Sequence, residues 1–190
     1  MPIVTIGGSH RKVGKTSLAC GVIAAFAELP WTAIKITTHN HGKPELVWEE
    51  IHPGQGTDTA RYLAAGAHRA LLVTAGSSDL PAAEIRAALG TDLYVIVESN
   101  RAHQILELNM PAIHLVVVGA SETHDKQSFQ LALRNADAFV CSAQLEWAPS
   151  GDWEPTRDHR PAFVVPDLGR ISPELRDWMR TRLGLPIAAR

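Results

Sequence analysis

Gly14, Lys15, Thr16 and Ser17 stand between an apolar run, Ile3–Ile6, and a stretch that reads as a helix, Lys15–Glu28. That order of residue types suits one chemistry. A turn from a buried strand into a helix presents successive backbone N–H groups to an anion, with the helix N-terminus behind them. A lysine and a metal-ligating hydroxyl complete a site for phosphate. Lys15 is expected on β- and γ-phosphates, where it draws charge off the bridge between them. Thr16 is expected on Mg²⁺ and Ser17 on an α-phosphate. The usual spacing is glycine, four residues, Gly-Lys, then Ser or Thr. Counting back from Gly14 puts Ser9 at the first glycine position, with Gly7 and Gly8 directly upstream. Serine tolerates a turn less well than glycine wherever φ must be positive. Ser9, His10, Arg11, Lys12 and Val13 make up the body of the loop. Arg11 and Lys12 either offset phosphate charge or face solvent.

A phosphate loop works with an acid at the end of a neighbouring strand, which orients Mg²⁺ or its water ligands. Glu98 follows Leu93–Val97 and is the candidate, with Lys15 the second catalytic residue; the alternative is a solvated strand-end glutamate. Asn100 and Arg101 follow along the same edge. Asp58 reads as a helix cap or first-turn acid, or as a water-mediated metal contact. His39 and His41 lie two apart in the loop after the second strand. Phosphate or substrate contact, a metal pair and plain loop histidines all stay open, and no third ligand emerges among His10, His52 and Asp58. For the base of a nucleotide, Ser142-Ala143 after Cys141 offers backbone N–H to a guanine oxygen. Asp125 is the acid placed to pair with a guanine edge. No Asn-Lys-x-Asp is present.

Apolar runs must hold these residues. Strands are predicted over Ile3–Ile6, Ala33–Thr37, Ala70–Thr74, Leu93–Val97, Ile113–Val118, Ala138–Val140 and Ala162–Val165. Helices are predicted over Lys15–Glu28, Thr57–Ala65, Pro81–Leu89, Ala102–Leu108, His124–Asn135 and Pro173–Leu183. Short strands alternating with helices imply an α/β/α arrangement, a mostly parallel sheet covered on both faces. Thr57 or Asp58, Asp79 and Ser172 are cap candidates, and Gly66 and Gly90 sit where a left-handed residue ends a helix. The stretches 38–56 and 144–161 fit neither pattern and read as long loops. One nucleotide-binding domain is expected over residues 1–190. Its core is about 1–143, and 144–190 supplies a long loop, a strand and a C-terminal helix.

Composition excludes other classes. The chain has 190 residues, 45% hydrophobic and 20% charged, with a net charge of −2. A general nucleic-acid binder would be basic. Two cysteines without metal-type spacing read as buried, reduced thiols. The start lacks the pattern of a signal peptide, and no apolar run is long enough to span a bilayer. No nucleic acid, no membrane and a cytoplasmic location are therefore expected.

Three blocks carry a resemblance: "GGSHRKVGKTSLA", "AIKITTHNH" and "GTDTARYLAAGAHRALLVTA". Together with "DLYVIVESN" in the place of an acidic strand end, they resemble molybdopterin-guanine dinucleotide biosynthesis protein B. That family consists of small P-loop NTPases of the signal-recognition/MinD/BioD class. The likeness runs from about residue 3 to 100. It implies binding of GTP (ATP the alternative) with Mg²⁺ and slow hydrolysis. It also implies an accessory role with a partner protein of molybdenum-cofactor biosynthesis, and dimers closing over the nucleotide. Gly14, Lys15, Thr16 and Ser17 match its phosphate positions and Thr16 and Glu98 its metal positions, while His39, Asp58 and Arg61 match its middle blocks. A second lysine of that class falls where His10 stands here, so its role is not carried over. Ser99 stands where the family usually has glycine. Two other classes compete: an ATP-dependent ligase or kinase of the dethiobiotin-synthetase type, and a nucleotide-binding interaction module without hydrolysis.

Overall fold

A computed structural model describes residues 2–38, 46–75, 80–101, 112–119, 127–142 and 160–186. In chain order the elements are β1 (Ile3–Gly8), α1 (Lys15–Ala25), β2 (Trp31–Thr37), β3 (Val47–Glu50), α2 (Asp58–Ala64) and β4 (Arg69–Thr74). Then come α3 (Ala82–Leu89), β5 (Tyr94–Glu98), β6 (Ala112–Val118), α4 (Gln127–Asn135), β7 (Ala138–Cys141), β8 (Ala162–Val164) and α5 (Pro173–Arg182). The sheet runs β3-β4-β2-β5-β1-β6-β7-β8, and every pairing is parallel except β3 on β4.

The side-chain alternation of each strand sorts the core into two faces. On one, Leu18 and Val22 of α1, Tyr62 of α2 and Leu175 and Met179 of α5 pack on Val4, Ile6, Ala33, Ile96, Leu115 and Val140. On the other, α3 sets Ile85 and Leu89 on Ile34, Leu71 and Val95, and α4 sets Phe129 and Leu133 on Val116 and Phe139. This is the three-layer α/β/α arrangement with a mostly parallel sheet that the alternation of runs implies. Among the described residues no helix is long and apolar enough to cross a membrane.

Three expectations need correction. The stretch 38–56 is not all loop, since β3 lies within it, antiparallel at the sheet edge. Its sequence, Val-Trp-Glu-Glu, is short and half acidic, which suits an edge open to water. Helix α1 stops at Ala25, because the chain must turn before Pro30 to enter β2. Cys20 is half-buried rather than buried, its thiol 3.7 Å from the Arg61 carbonyl oxygen. Cys141 is buried, and desolvation pushes its thiol up to about 11. Of the caps, Thr57 accepts from Ala60 N and Ser172 from Leu175 N, while Asp79 lies outside the described residues. So do the helix over Ala102–Leu108 and all of the loop 144–161 but its last two residues.

Candidate functional site

The turn between β1 and α1 is built by backbone constraint. Gly8 leaves β1 where a Cβ would stand 2.6 Å from Val13 and 2.9 Å from Lys15 side-chain atoms, so only glycine lets the loop fold back so closely. Asn100 holds the same residue from the next strand: its carboxamide accepts from Gly8 N at 2.7 Å and donates to Gly8 O at 2.8 Å. Ser9 is buried. Its N–H donates to Val117 O at 2.9 Å, and its hydroxyl accepts from Gly119 N at 3.0 Å. Its φ is not positive; among the described non-glycine residues Lys12 has that conformation, with φ 66°. The departure from the glycine spacing therefore costs the backbone nothing, and the serine gains a hydrogen bond that glycine lacks.

Gly14 turns the loop into α1 with φ 104°. Side-chain hydroxyls cap α2 and α5, but no side chain caps α1. Its first N–H groups therefore remain available to an external acceptor. Lys15 folds back over the loop and donates to His10 O at 2.9 Å. His10 thus contributes its carbonyl, while its ring nitrogen Nδ1 lies 2.7 Å from Arg11 O.

Sheet register brings the acids to this turn. Lys35 of β2 is the register partner of Glu98 of β5, and both are at C-terminal strand ends on the face that α1 and α2 cover. Glu98 is 2% exposed, which excludes a solvated strand-end glutamate. Thr16 Oγ1 donates to its Oε2 at 2.8 Å, Tyr62 of α2 donates to the same oxygen, and the Lys35 ammonium donates to Oε1. Asp58, the first residue of α2, completes the cluster at 2.9 Å from Lys35 Nζ. Burial pushes the Asp58 carboxyl up, but the Lys35 ammonium, the Thr16 hydroxyl and Arg61 together hold it below its ordinary value. Burial would lower Lys35; the two carboxylates more than reverse that and raise it. Burial and the Glu98 charge raise the Tyr62 phenol well above its ordinary value, so it stays a donor.

These residues surround a cavity of about 580 Å³. Arg11, Lys12, Lys15, Lys35 and Arg61 line it against Asp58 and Glu98, so positive charge is in excess. Arg11 and Lys12 are exposed, yet both reach this wall. Arg61 Nη2 is 3.4 Å from the Ser17 hydroxyl. From the other direction, Leu168 presses on the turn: a Cβ at Gly14 would stand 2.2 Å from its Cδ1, and one at Gly21 would stand 2.6 Å from its carbonyl oxygen.

The structure thus brings together Gly14, Lys15, Thr16, Ser17, Asp58 and Glu98, with Ser9, His10 and Val13 as the frame. Ser142 lies just past β7, outside this cavity. His39, Asp125 and Ala143 lie outside the described residues. Sequence reasoning gave no site role to Lys35, Tyr62 or Leu168. A lysine inside the apolar run Ala33–Thr37 was the available signal for the first. For the other two there was none, because a buried tyrosine on a helix and a leucine in a loop are ordinary.

The residues present fit a magnesium ion. Thr16, Glu98 and Asp58 offer hard oxygen donors, the type this cation takes. Among the described residues no group of three or more His, Cys, Asp or Glu forms a closed metal cage.

No protein-family model matches the chain, and no curated protein matches it. Among solved structures it is similar to LpxK from Aquifex aeolicus, crystallised as the "apo" form in complex with ATP. The TM-score is 0.52 at 14% identity, over 85% of this chain and 53% of LpxK, so the chain spans about half of that protein's length. With the sheet order and the β1–α1 turn, this likeness identifies the fold as that of P-loop NTPases.

Proposed function

We propose that the cavity at the β1–α1 turn binds a nucleoside triphosphate with Mg²⁺ and turns it over slowly. One observation carries the reading: the Thr16 hydroxyl and the buried Glu98 carboxylate meet at 2.8 Å beside the uncapped start of α1. Lys15 would leave His10 O for phosphate oxygens, and the N–H groups of residues 15–17 would bind the same anion. Bound magnesium would neutralise charge on the β- and γ-phosphate oxygens. Arg61 and the exposed Arg11 and Lys12 would hold the outer phosphate charge.

GTP, and an accessory role toward a partner protein in molybdenum-cofactor biosynthesis, are supported by the resemblance of the three sequence blocks, including Asp58 and Arg61. An ATP-dependent small-molecule ligase or kinase is the second reading. The ATP bound to LpxK supports it. So does a second cavity that shares Lys35 and Asp58 with the first.

Calorimetric titration of GTP and ATP, with and without Mg²⁺, tests the site when paired with Lys15→Ala. Losing a charge-assisted contact of about 1.5–3 kcal/mol weakens binding about 10- to 150-fold. Unchanged affinity in that variant would remove the phosphate assignment.

A further inference from the structure

Four side chains fall in one row across the sheet. Glu98 of β5 pairs in register with Lys35 of β2, Lys35 with Leu72 of β4, and Leu72 with Trp48 of β3. Neighbours in register project to the same face of a sheet, here the face carrying α1 and α2. The row therefore runs from the phosphate cavity outward to the sheet edge. Helix α2 has seven residues, about 10 Å of cover, and a space remains between its first turn and the outer half of the row. Leu72 is accordingly half-exposed, although the flanking Leu71 and Val73 on the opposite face are buried.

The space left open is a cavity of about 480 Å³, within the size range of small-molecule sites. Trp48 and Leu72 form its floor, Thr57 and Thr59 add hydroxyls, and Glu50 closes the rim. Lys35 and Asp58 line both this cavity and the phosphate cavity, so their ion pair is the partition between the two. The partition's one ammonium is engaged by Asp58 and Glu98. Glu50 keeps its carboxylate at the rim, accepting from Ile51 N at 3.1 Å and His52 N at 3.2 Å. An anion entering here would meet two carboxylates and a lysine already neutralised. A flat apolar body would meet an indole and a leucine side chain.

We infer that this second cavity binds a small molecule with a flat, apolar body and no negative charge, seated beside the phosphate site across the Lys35–Asp58 partition. The inference rests on the nucleotide reading only for what lies on the far side of that partition. The cavity's shape and charge stand on their own.

The test uses the full chain and three probes that share one ring system: indole, the cationic tryptamine and the anionic indole-3-acetate. Each is titrated into isotope-labelled protein and followed by amide and indole N–H shifts. Indole and tryptamine are expected to give saturable shifts at Trp48, Leu72 and Thr59, and indole-3-acetate at least tenfold weaker ones. Two variants fill the space from different sides. One is Leu72→Trp. The other is Gly56→Phe, at a lining glycine where a Cβ meets nothing within 4 Å. Each variant is accepted once its thermal unfolding shows that it folds, and either should abolish the saturable shifts. No saturable binding to the parent chain, equal binding of the anion, or shifts that persist in a folded filled variant would each overturn the assignment. Probe binding without any binding of GTP or ATP would overturn the nucleotide reading and leave this cavity assignment standing.

Discussion

Replacing Lys35 with methionine tests the central electrostatic claim. Methionine keeps most of the side-chain volume and removes the ammonium. Glu98, 2% exposed, then loses its ion pair and keeps only the Thr16 and Tyr62 hydroxyls, while Asp58 loses the cation 2.9 Å away. Breaking a buried pair from one side costs about 3–5 kcal/mol. The Lys35 side chain is 20% exposed, which puts the cost at the low end, about 3 kcal/mol. For a chain of this size that lowers Tm by about 6–12 °C. The assay is calorimetric unfolding in a chelator and again with excess Mg²⁺, without nucleotide. In chelator the variant should show the full loss. Mg²⁺ should restore part of it, because the oxygens of Thr16, Asp58 and Glu98 no longer have an ammonium among them. The parent chain should respond less to the metal alone. A double-mutant cycle with Glu98→Gln isolates the pair and should give a coupling above about 1.5 kcal/mol. A Tm change under about 2 °C, with no coupling in the cycle, would refute the reasoning and leave Lys35 a bystander.

Two further outcomes follow from particular contacts. Ser9→Gly restores the usual loop spacing but deletes the hydroxyl that accepts from Gly119 N at 3.0 Å, so it should destabilise the fold by about 1–2 kcal/mol in chemical denaturation. Tighter nucleotide binding in that variant, by tenfold, would mean that the serine does strain the loop. Glu49 of β3 pairs with Arg69 of β4 at 2.7 Å, and the hydrogen bonds and charge of that guanidinium hold its carboxyl below its ordinary value. A depressed carboxyl contributes stability above its unfolded pKa, about 4.3, and loses it as pH falls through the folded value. Parent chain and Glu49→Gln should therefore differ in Tm at pH 7 and converge below about pH 4. A difference that persists in acid would exclude the charge as its source.

How far the sequence could be read follows from how local each signal is. Every described strand except β3 was legible: the inner parallel strands, buried on both faces, need unbroken apolar runs such as Ile113–Val118, and the exposed edge strand β8 still carries the apolar run Ala162–Val164. Strand β3 was not. It carries Glu49 and Glu50 and is fixed by Arg69 from another element rather than by its own composition. The phosphate turn was legible in its chemistry and misleading in its spacing. Position nine looked like a defect until the backbone showed that its φ is ordinary and that its side chain is occupied. Helix starts were legible where a hydroxyl caps them, at Thr57 and Ser172. The missing cap on α1 was as informative as the caps present.

Lys35 was given no site role from sequence, and the reason bears on how the site works. From sequence, Lys35 and Glu98 are far apart, and each interrupts or ends an apolar run for no local reason. Only the strand order β2-β5-β1 puts them side by side, and only parallel register puts both at the edge where β1 delivers the phosphate turn. Burying Glu98 alone would be costly. Burying it against Lys35, with two hydroxyl donors, offsets that cost. The same ammonium spans Glu98 and Asp58, the two carboxylates proposed for magnesium, and so serves as their shared counter-ion. Arrival of a metal with its phosphates would free that ammonium, and both cavities that it borders are within its reach.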